Sequence, residues 1–240
     1  MRRFYLPDID AESGHAALTG SEHHHARNVL RLEAGSEVSV LDGRGREFIC
    51  RIEDIGKKQA TLTILEETRA AAPESSLQLT LAAVAIPGEK YDLVLQKAVE
   101  LGVSKFVPLS SARCELRLHE IAKKYDRWQR IILDASKQCG RARLMEISEA
   151  ENIESFTRSS PRDHLRIFFS ERDGTSFPAP VPTDRITAVI GPKGGWDTSE
   201  IETAKEAGFT IITMGGRILR AETAAISVTA ILQHRFGDLN

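Results

Sequence analysis

Two glycine-bearing stretches carry the residues that could do chemistry. The first, Met214–Ala225 (MGGRILRAETAA), follows an apolar run, Phe209–Thr213, that reads as a buried strand. It precedes Ala225, Val228, Ile231, Leu232 and Phe236, which recur at helical spacing. Between strand and helix stand two arginines, Arg217 and Arg220, which supply planar cationic donors. Glu222 is an anion beside them. Gly215 and Gly216 allow a backbone to approach a ligand closely. The second stretch, Ile186–Gly195 (ITAVIGPKGG), is an apolar strand running into Gly191-Pro192-Lys193-Gly194-Gly195. Both loops therefore lie at the carboxyl ends of strands, where open α/β sheets bind ligands.

Neither loop is a phosphate cradle of known pattern. GPKGG lacks the GxxxxGK spacing and has no Ser or Thr after the lysine, and GxGxxG is missing. Two apolar-flanked glycine loops without that chemistry suit a flat, mostly neutral group such as an adenine ring, held by backbone amides and carbonyls. Two tight turns in an α/β protein, with a local Arg220–Glu222 pair at a helix entrance, account for the same residues.

The totals bound the remaining possibilities. At 240 residues there is room for one large domain or two small ones. A hydrophobic share of 41%, a charged share of 28% and a net charge of -2 fit a soluble globular protein that is not basic overall. Any nucleic-acid contact must then come from local patches. Cys50, Cys114 and Cys139 are odd in number and show no CxxC or Cys/His spacing, which gives no disulfide or zinc signal. No run has signal-peptide or membrane-span character, so the expected location is the cytoplasm. His23-His24-His25 would point in different directions on a helix and lacks a second ligand cluster, so no metal is expected.

The elements that must position these residues fall into two rhythms. Arg3–Leu6, Glu37–Leu41, Glu47–Ile55 and Ala60–Leu65 predict strands. One helix interrupts them, capped by Ser21, with Ala26, Val29 and Leu30 inward and Gly35 as its stop. Short strands with one helix suggest a small barrel. Thr68–Ser76 (TRAAAPESS) has the composition of a boundary, dividing the chain into 1–70, a linker over 71–78, and 79–240. Beyond it, strands at Leu79–Ile86, Phe106–Leu109, Leu165–Ser170, Ile186–Ile190 and Phe209–Met214 alternate with helices, which predicts a parallel sheet covered on both faces. The helices are Asp92–Leu101, a long amphipathic one from Leu118 to Ala135 with Trp128 in its apolar stripe, and Thr198–Ala207. The last opens on an Asp197/Glu200 capping pair. Residues 152–164 and 172–185, rich in Pro, Ser and charge, read as surface connections.

IGPKGGW with DTSEIE, followed by MGGRILRAETA, resembles the paired signatures of the SPOUT class of methyltransferases. More narrowly it resembles the RsmE family of 16S ribosomal RNA uridine-N3 methyltransferases. QKAVELGV (Gln96–Val103), SKQCGRAR (Ser136–Arg143), HHHARNVLRL and DGRGREF extend the likeness over nearly the whole chain. The resemblance implies a trefoil-knotted, mostly parallel α/β domain after a small N-terminal PUA-like β-barrel. It implies a homodimer formed through the knot domain, with the Ala225–Phe236 helix near the two-fold axis. S-adenosylmethionine would be the methyl donor and 16S ribosomal RNA of the small subunit the substrate.

The donor would rest on Phe169, Ser170, Ile190, Gly191, Pro192, Gly194, Gly195, Met214, Gly215, Ile218, Leu219, Thr223 and Ala224. Arg220 would stabilise charge on the uracil, and Glu222 would orient Arg220 or help remove the N3 proton. Arg2, Arg3, Arg27 and Arg31 in the barrel, with Arg113, Arg141 and Arg143, are the candidate RNA contacts. A stripe of Lys123, Arg127, Arg130 and Lys137 on the long helix is an accompanying cationic face. The family usually has acidic residues where this chain has Lys193 and Lys137. Methylation at another RNA position, such as a ribose hydroxyl, and a noncatalytic RNA-binding or ribosome-assembly factor are the alternative functions.

Overall fold

The computed structural model describes residues 1–177 and 182–239, so part of the 172–185 connection lies outside the described residues. The chain forms two compact units. Residues 1–74 and 136–144 make the first, and residues 75–135 and 145–240 the second. The boundary thus falls at Glu74/Ser75, and a later segment returns to the first unit, which no composition change announces.

The first unit contains β1 (Arg2–Tyr5), β2 (His15–Leu18), α1 (Gly20–His24), β3 (Glu37–Leu41), β4 (Glu47–Ile55) and β5 (Ala60–Thr68). Its sheet runs in the order β1-β3-β4-β5-β2; β1 and β3 are parallel and the other pairs antiparallel. Two register shifts in the β4–β5 ladder, at Ile49/Cys50 and Ile52/Asp54, bend the long strands locally. Phe4, Leu18, Val38, Val40, Phe48, Ile52 and Leu62 build its core. The helix differs from the expected one. It opens at Thr19 rather than Ser21, and after one turn continues as a π-helical turn, His25–Val29. The wider turn shifts the facing by a residue, so Ala26 is buried while Val29 stands 61% exposed. β2, whose HAAL sequence has no β-branched residue, gave no strand signal.

The second unit contains β6 (Gln78–Val84), α2 (Glu89–Glu100), β7 (Lys105–Ser110), α3 (Leu118–Ala122), α4 (Tyr125–Cys139), β8 (Glu146–Ile147), β9 (Glu151–Asn152) and α5 (Ile153–Ser159). There follow β10 (Leu165–Phe169), β11 (Arg185–Ile190), α6 (Thr198–Glu206), β12 (Thr210–Ile212) and α7 (Ala221–Phe236). The last residues of α4 belong to the first unit. The sheet is parallel throughout, in the order β12-β10-β11-β6-β7-β8, with β9 also on β7. The single long helix expected from Leu118 is broken at 123–124 into α3 and α4, and Leu118 is 40% exposed. Trp128 is fully buried and donates its indole N–H to Asp92 at 3.2 Å. The Asp197/Glu200 capping box closes the start of α6 as expected. The short strands β8 and β9 and helix α5 carried too few residues to give a periodic signal.

Candidate functional site

Strand order places the site. β10 has β11 on one side and β12 on the other, so connections from neighbouring strands leave in opposite directions at its carboxyl end. Such a reversal opens a crevice between loops. Here it is framed by the segments after β10, β11 and β12.

The loops after β10 and β11 are held by identifiable contacts. After β10, Ser170 donates its backbone N–H to the Ile212 carbonyl at 3.0 Å and its hydroxyl to Asp173 at 3.0 Å. Gly174 N–H donates to Thr213 Oγ1 at 2.9 Å, and Thr175 and Thr213 bond to the facing strand and segment. A Cβ on Gly174 would fall on the Ile212 backbone, so only glycine lets the segment lie along β12. After β11, Gly195 closes a tight turn on the Pro192 carbonyl with φ +73°. Trp196 lies beneath the loop, 5% exposed. Its N–H donates to the Phe169 carbonyl at 2.8 Å, and its ring stacks at 4.4 Å on Phe168. A Cβ on Gly191 would come within 2.8 Å of that indole. Trp196 therefore supports the loop from below. Arg113 ties the loop from outside, donating to the Gly194 carbonyl at 3.1 Å and pairing with Asp197 at 3.5 Å.

The loops enclose a half-open pocket of about 560 Å³, open solvent at its mouth included. Phe169, Ser170, Ile190, Gly191, Pro192, Met214, Leu219 and Ala224 line it, as do Glu171, Arg217, Ala221 and Val228. Gly194, Gly195, Gly215, Ile218 and Thr223 do not line it; Ile218 is 65% exposed. Gly195 contributes indirectly, since a Cβ there would fall on the Glu171 carboxylate. Ala221 and Val228 had a legible signal, because with Ala224 they occupy one face of a helix at i, i+3 and i+7. Glu171 had none beyond its place next to Ser170.

Arg220 is the residue immediately before α7, between Leu219 and Ala221; its side chain makes no capping hydrogen bond and is exposed. Among the described residues it makes no ion pair. Glu222 pairs instead with Lys90, at 3.0 Å. A hydrogen bond from the backbone at its own position, with further help from Lys90 and Arg220, holds the Glu222 carboxyl below the usual carboxylate range against the opposing effect of burial. The helix-entrance pair between Arg220 and Glu222 is thus replaced by a pair between two helices.

The cationic candidates divide. Arg2, Arg31 and Arg143 are exposed in the first unit, as is Arg113 in the second. Arg27 is half-buried and donates to the Gly56 carbonyl at 2.8 Å. Arg3 and Arg141 correct the expectation of RNA contact. The Arg3 side chain is 9% exposed, bound to Glu47 at 2.8 Å and donating to the carbonyls of Ser136, Lys137 and Arg141. Arg141 is 5% exposed and bound to Glu74 at 2.7 Å. Both guanidinium groups are turned inward and committed to carboxylates. Of the helical stripe, Arg127 pairs with Asp92 at 2.6 Å and Lys137 with Glu22. Lys193 approaches Glu115 at 3.7 Å, with 80% of its side chain exposed. His23 is buried against the Gly56 carbonyl, and no cluster of three metal-ligating side chains occurs among the described residues.

Comparison with known proteins identifies the family. The model of the RNA methyltransferase domain family matches residues 73–233, and that of the RNA methyltransferase PUA domain matches 18–65. Ribosomal RNA small subunit methyltransferase E of Buchnera aphidicola subsp. Schizaphis graminum is 31% identical over 227 residues, 93% of this chain and 92% of its own. The chain belongs to the ribosomal RNA small subunit methyltransferase E family. The enzyme of that name from Rickettsia conorii is 30% identical, covering 97% of this chain and 94% of its own. The one from Neisseria gonorrhoeae, solved bound to S-adenosyl methionine, superposes with a TM-score of 0.92 at 33% identity, over 100% of both chains. A Legionella pneumophila protein solved with the bound cofactor SAM gives 0.91 at 32%, over 99% of each. Membership accounts for the PUA-type first unit and for the parallel sheet of the second.

Proposed function

We propose that this protein methylates N3 of a uridine in 16S ribosomal RNA of the small subunit, with S-adenosylmethionine as donor. The observation that carries the reading is the pocket at the reversal of strand order, in a chain similar end to end to methyltransferases solved with that donor. The residues present fit the donor chemically. Phe169, Ile190, Pro192, Met214, Leu219 and Val228 supply apolar walls for an adenine, the neighbouring backbone supplies donors and acceptors, and Glu171 and Arg217 are opposite charges for the polar remainder. When bound, the donor supplies a sulfonium-activated methyl group.

The protein's own part is to position the uracil and stabilise charge on it. Neutral uridine carries a proton on N3, so the site must favour the deprotonated base. Arg220, exposed and without an ion pair among the described residues, is suited to donate to a uracil carbonyl oxygen on which that charge resides. Glu222, held anionic and bound to Lys90, is a poor proton acceptor and acts as an electrostatic anchor. In this reading, Arg2, Arg31 and Arg143 contribute phosphate contacts. The same reading includes a trefoil knot in the second unit, its C-terminal segment threaded through a loop, and a cytoplasmic location. It also includes a homodimer through the second unit. Half-exposed Ile226, Ala230 and Ile231 on α7 support the dimer. No described helix is long and apolar enough to cross a membrane.

The test is methylation of small-subunit RNA lacking the modification, followed by nucleoside mass spectrometry and mapping of the product. 3-Methyluridine at one position is the expected result. A ribose-methylated product would overturn the assigned chemistry, and absence of donor binding in calorimetry would overturn enzymatic function altogether.

A further inference from the structure

We infer that Lys90 is a positioning residue for Arg220: by holding Glu222, it keeps the Arg220 guanidinium free for the substrate. The inference rests on the methyl-transfer reading above. α2 and α7 pack side by side. Lys90 Nζ lies 3.0 Å from Glu222 at their amino ends, and Gln233 donates to the Gly102 carbonyl at 3.1 Å at their carboxyl ends. The helices therefore run parallel, with both positive ends on one side. Glu222 occupies the favoured end of α7. Lys90, in the first turn of α2, is at the disfavoured end of its own helix and gains nothing there from capping. Its place is explained by the carboxylate it meets on α7.

The competition is between two cations for one anion. Glu222 is two residues from Arg220, and the charge of Arg220 already acts on it. Glu222 is bound by Lys90, while Arg220 makes no ion pair among the described residues. With Lys90 removed, Arg220 is the neighbouring cation that can take its place. A guanidinium closed onto a carboxylate is then lost to a uracil oxygen. Lys90 is 54% exposed, so replacing it leaves the core intact.

The prediction is a rescue. Lys90→Met in the full chain lowers kcat for methylation of unmodified small-subunit RNA about tenfold. Donor affinity by calorimetry and melting temperature stay unchanged, and Lys90→Arg retains wild-type turnover. Adding Glu222→Gln to Lys90→Met removes the competing anion and restores kcat to the level of Glu222→Gln alone. A role of Lys90 in mere stability gives no such rescue. The activity-independent readout is the Arg220 side-chain Nε–H resonance, which shifts to a paired position in Lys90→Met and returns in the double variant. Unaltered kcat in Lys90→Met, a double variant no faster than Lys90→Met, or an unmoved resonance overturns the inference. Wild-type protein that binds no donor and transfers no methyl overturns the underlying function instead, and the resonance still decides the pairing.

Discussion

Arg3 of the first unit and Arg220 of the second do opposite work. In the first unit the Arg3 side chain is largely withdrawn from solvent, faces Glu47 and donates to the last carbonyls of α4. In the second, Arg217 lines the pocket and Arg220 stands exposed at the start of α7. The side chains are chemically identical. A guanidinium taken out of water must be matched by a carboxylate and carbonyls, and so becomes part of the scaffold. One left at a loop without a counter-ion keeps its hydrogen-bonding capacity for a substrate.

The largest expected effect tests the first half of that contrast. Arg3→Met leaves the Glu47 carboxylate buried and uncompensated and should cost about 3–5 kcal/mol in denaturant unfolding. The same pair has a pH signature. Burial alone would raise Glu47, but hydrogen bonds from Arg3 and Ser39 outweigh it and hold its carboxyl below the ordinary range. Its contribution to stability is therefore complete above the unfolded value of about 4.3. It is lost as pH falls through the lower folded value. Acid titration of wild type against Arg3→Met should show the two converging in that window.

Next comes the opposite case. Arg220→Ala should lower turnover by about 100- to 1,000-fold, with folding stability and donor affinity unchanged. Full turnover would remove the distinction between scaffold and substrate-directed arginines. A smaller effect is expected at Gly195, where φ is +73° and a Cβ would meet Glu171. Gly195→Ala should cost about 1–2 kcal/mol of stability or donor affinity, read by calorimetry with S-adenosylmethionine. The smallest change in stability sharpens the contrast inside the first unit. Alanine at Arg2, Arg31 and Arg143 should leave the melting temperature unchanged while weakening RNA binding. The salt slope should become shallower by about one for each phosphate that no longer meets an arginine.

Much of the fold was legible because its signals are local. β3 and β4 fall within the stretches that alternation marked, and the capping box at Asp197 fixed the start of α6. Gly102 and Gly208 ended their helices with positive φ. Signals failed where the chain departed from a regular period. The π-helical turn at His25–Val29 moved Val29 outward, and the break at 123–124 divided one apparent stripe into two helices. The glycine loops were readable as loops at strand ends. Their supports were not: the indole beneath Gly191, the carboxylate beside Gly195 and the backbone against Gly174 are all distant or nonperiodic neighbours.

By itself the sequence determined the alternation of strands and helices, the two glycine loops, and the family that their order resembles, since these depend on neighbours a few residues apart. Tertiary structure decided which charges are available. Glu222 looked to be the partner of Arg220, two residues away, but lies against Lys90, 132 positions earlier in the chain. Arg3 and Arg141 looked like cations for RNA; Arg3 is enclosed with Glu47, and Arg141 is itself buried and bound to Glu74. The physical reason is that burial and counter-ions are supplied by elements remote in sequence. A charged residue's type states what it can do, and only its surroundings settle whether it is free to do it.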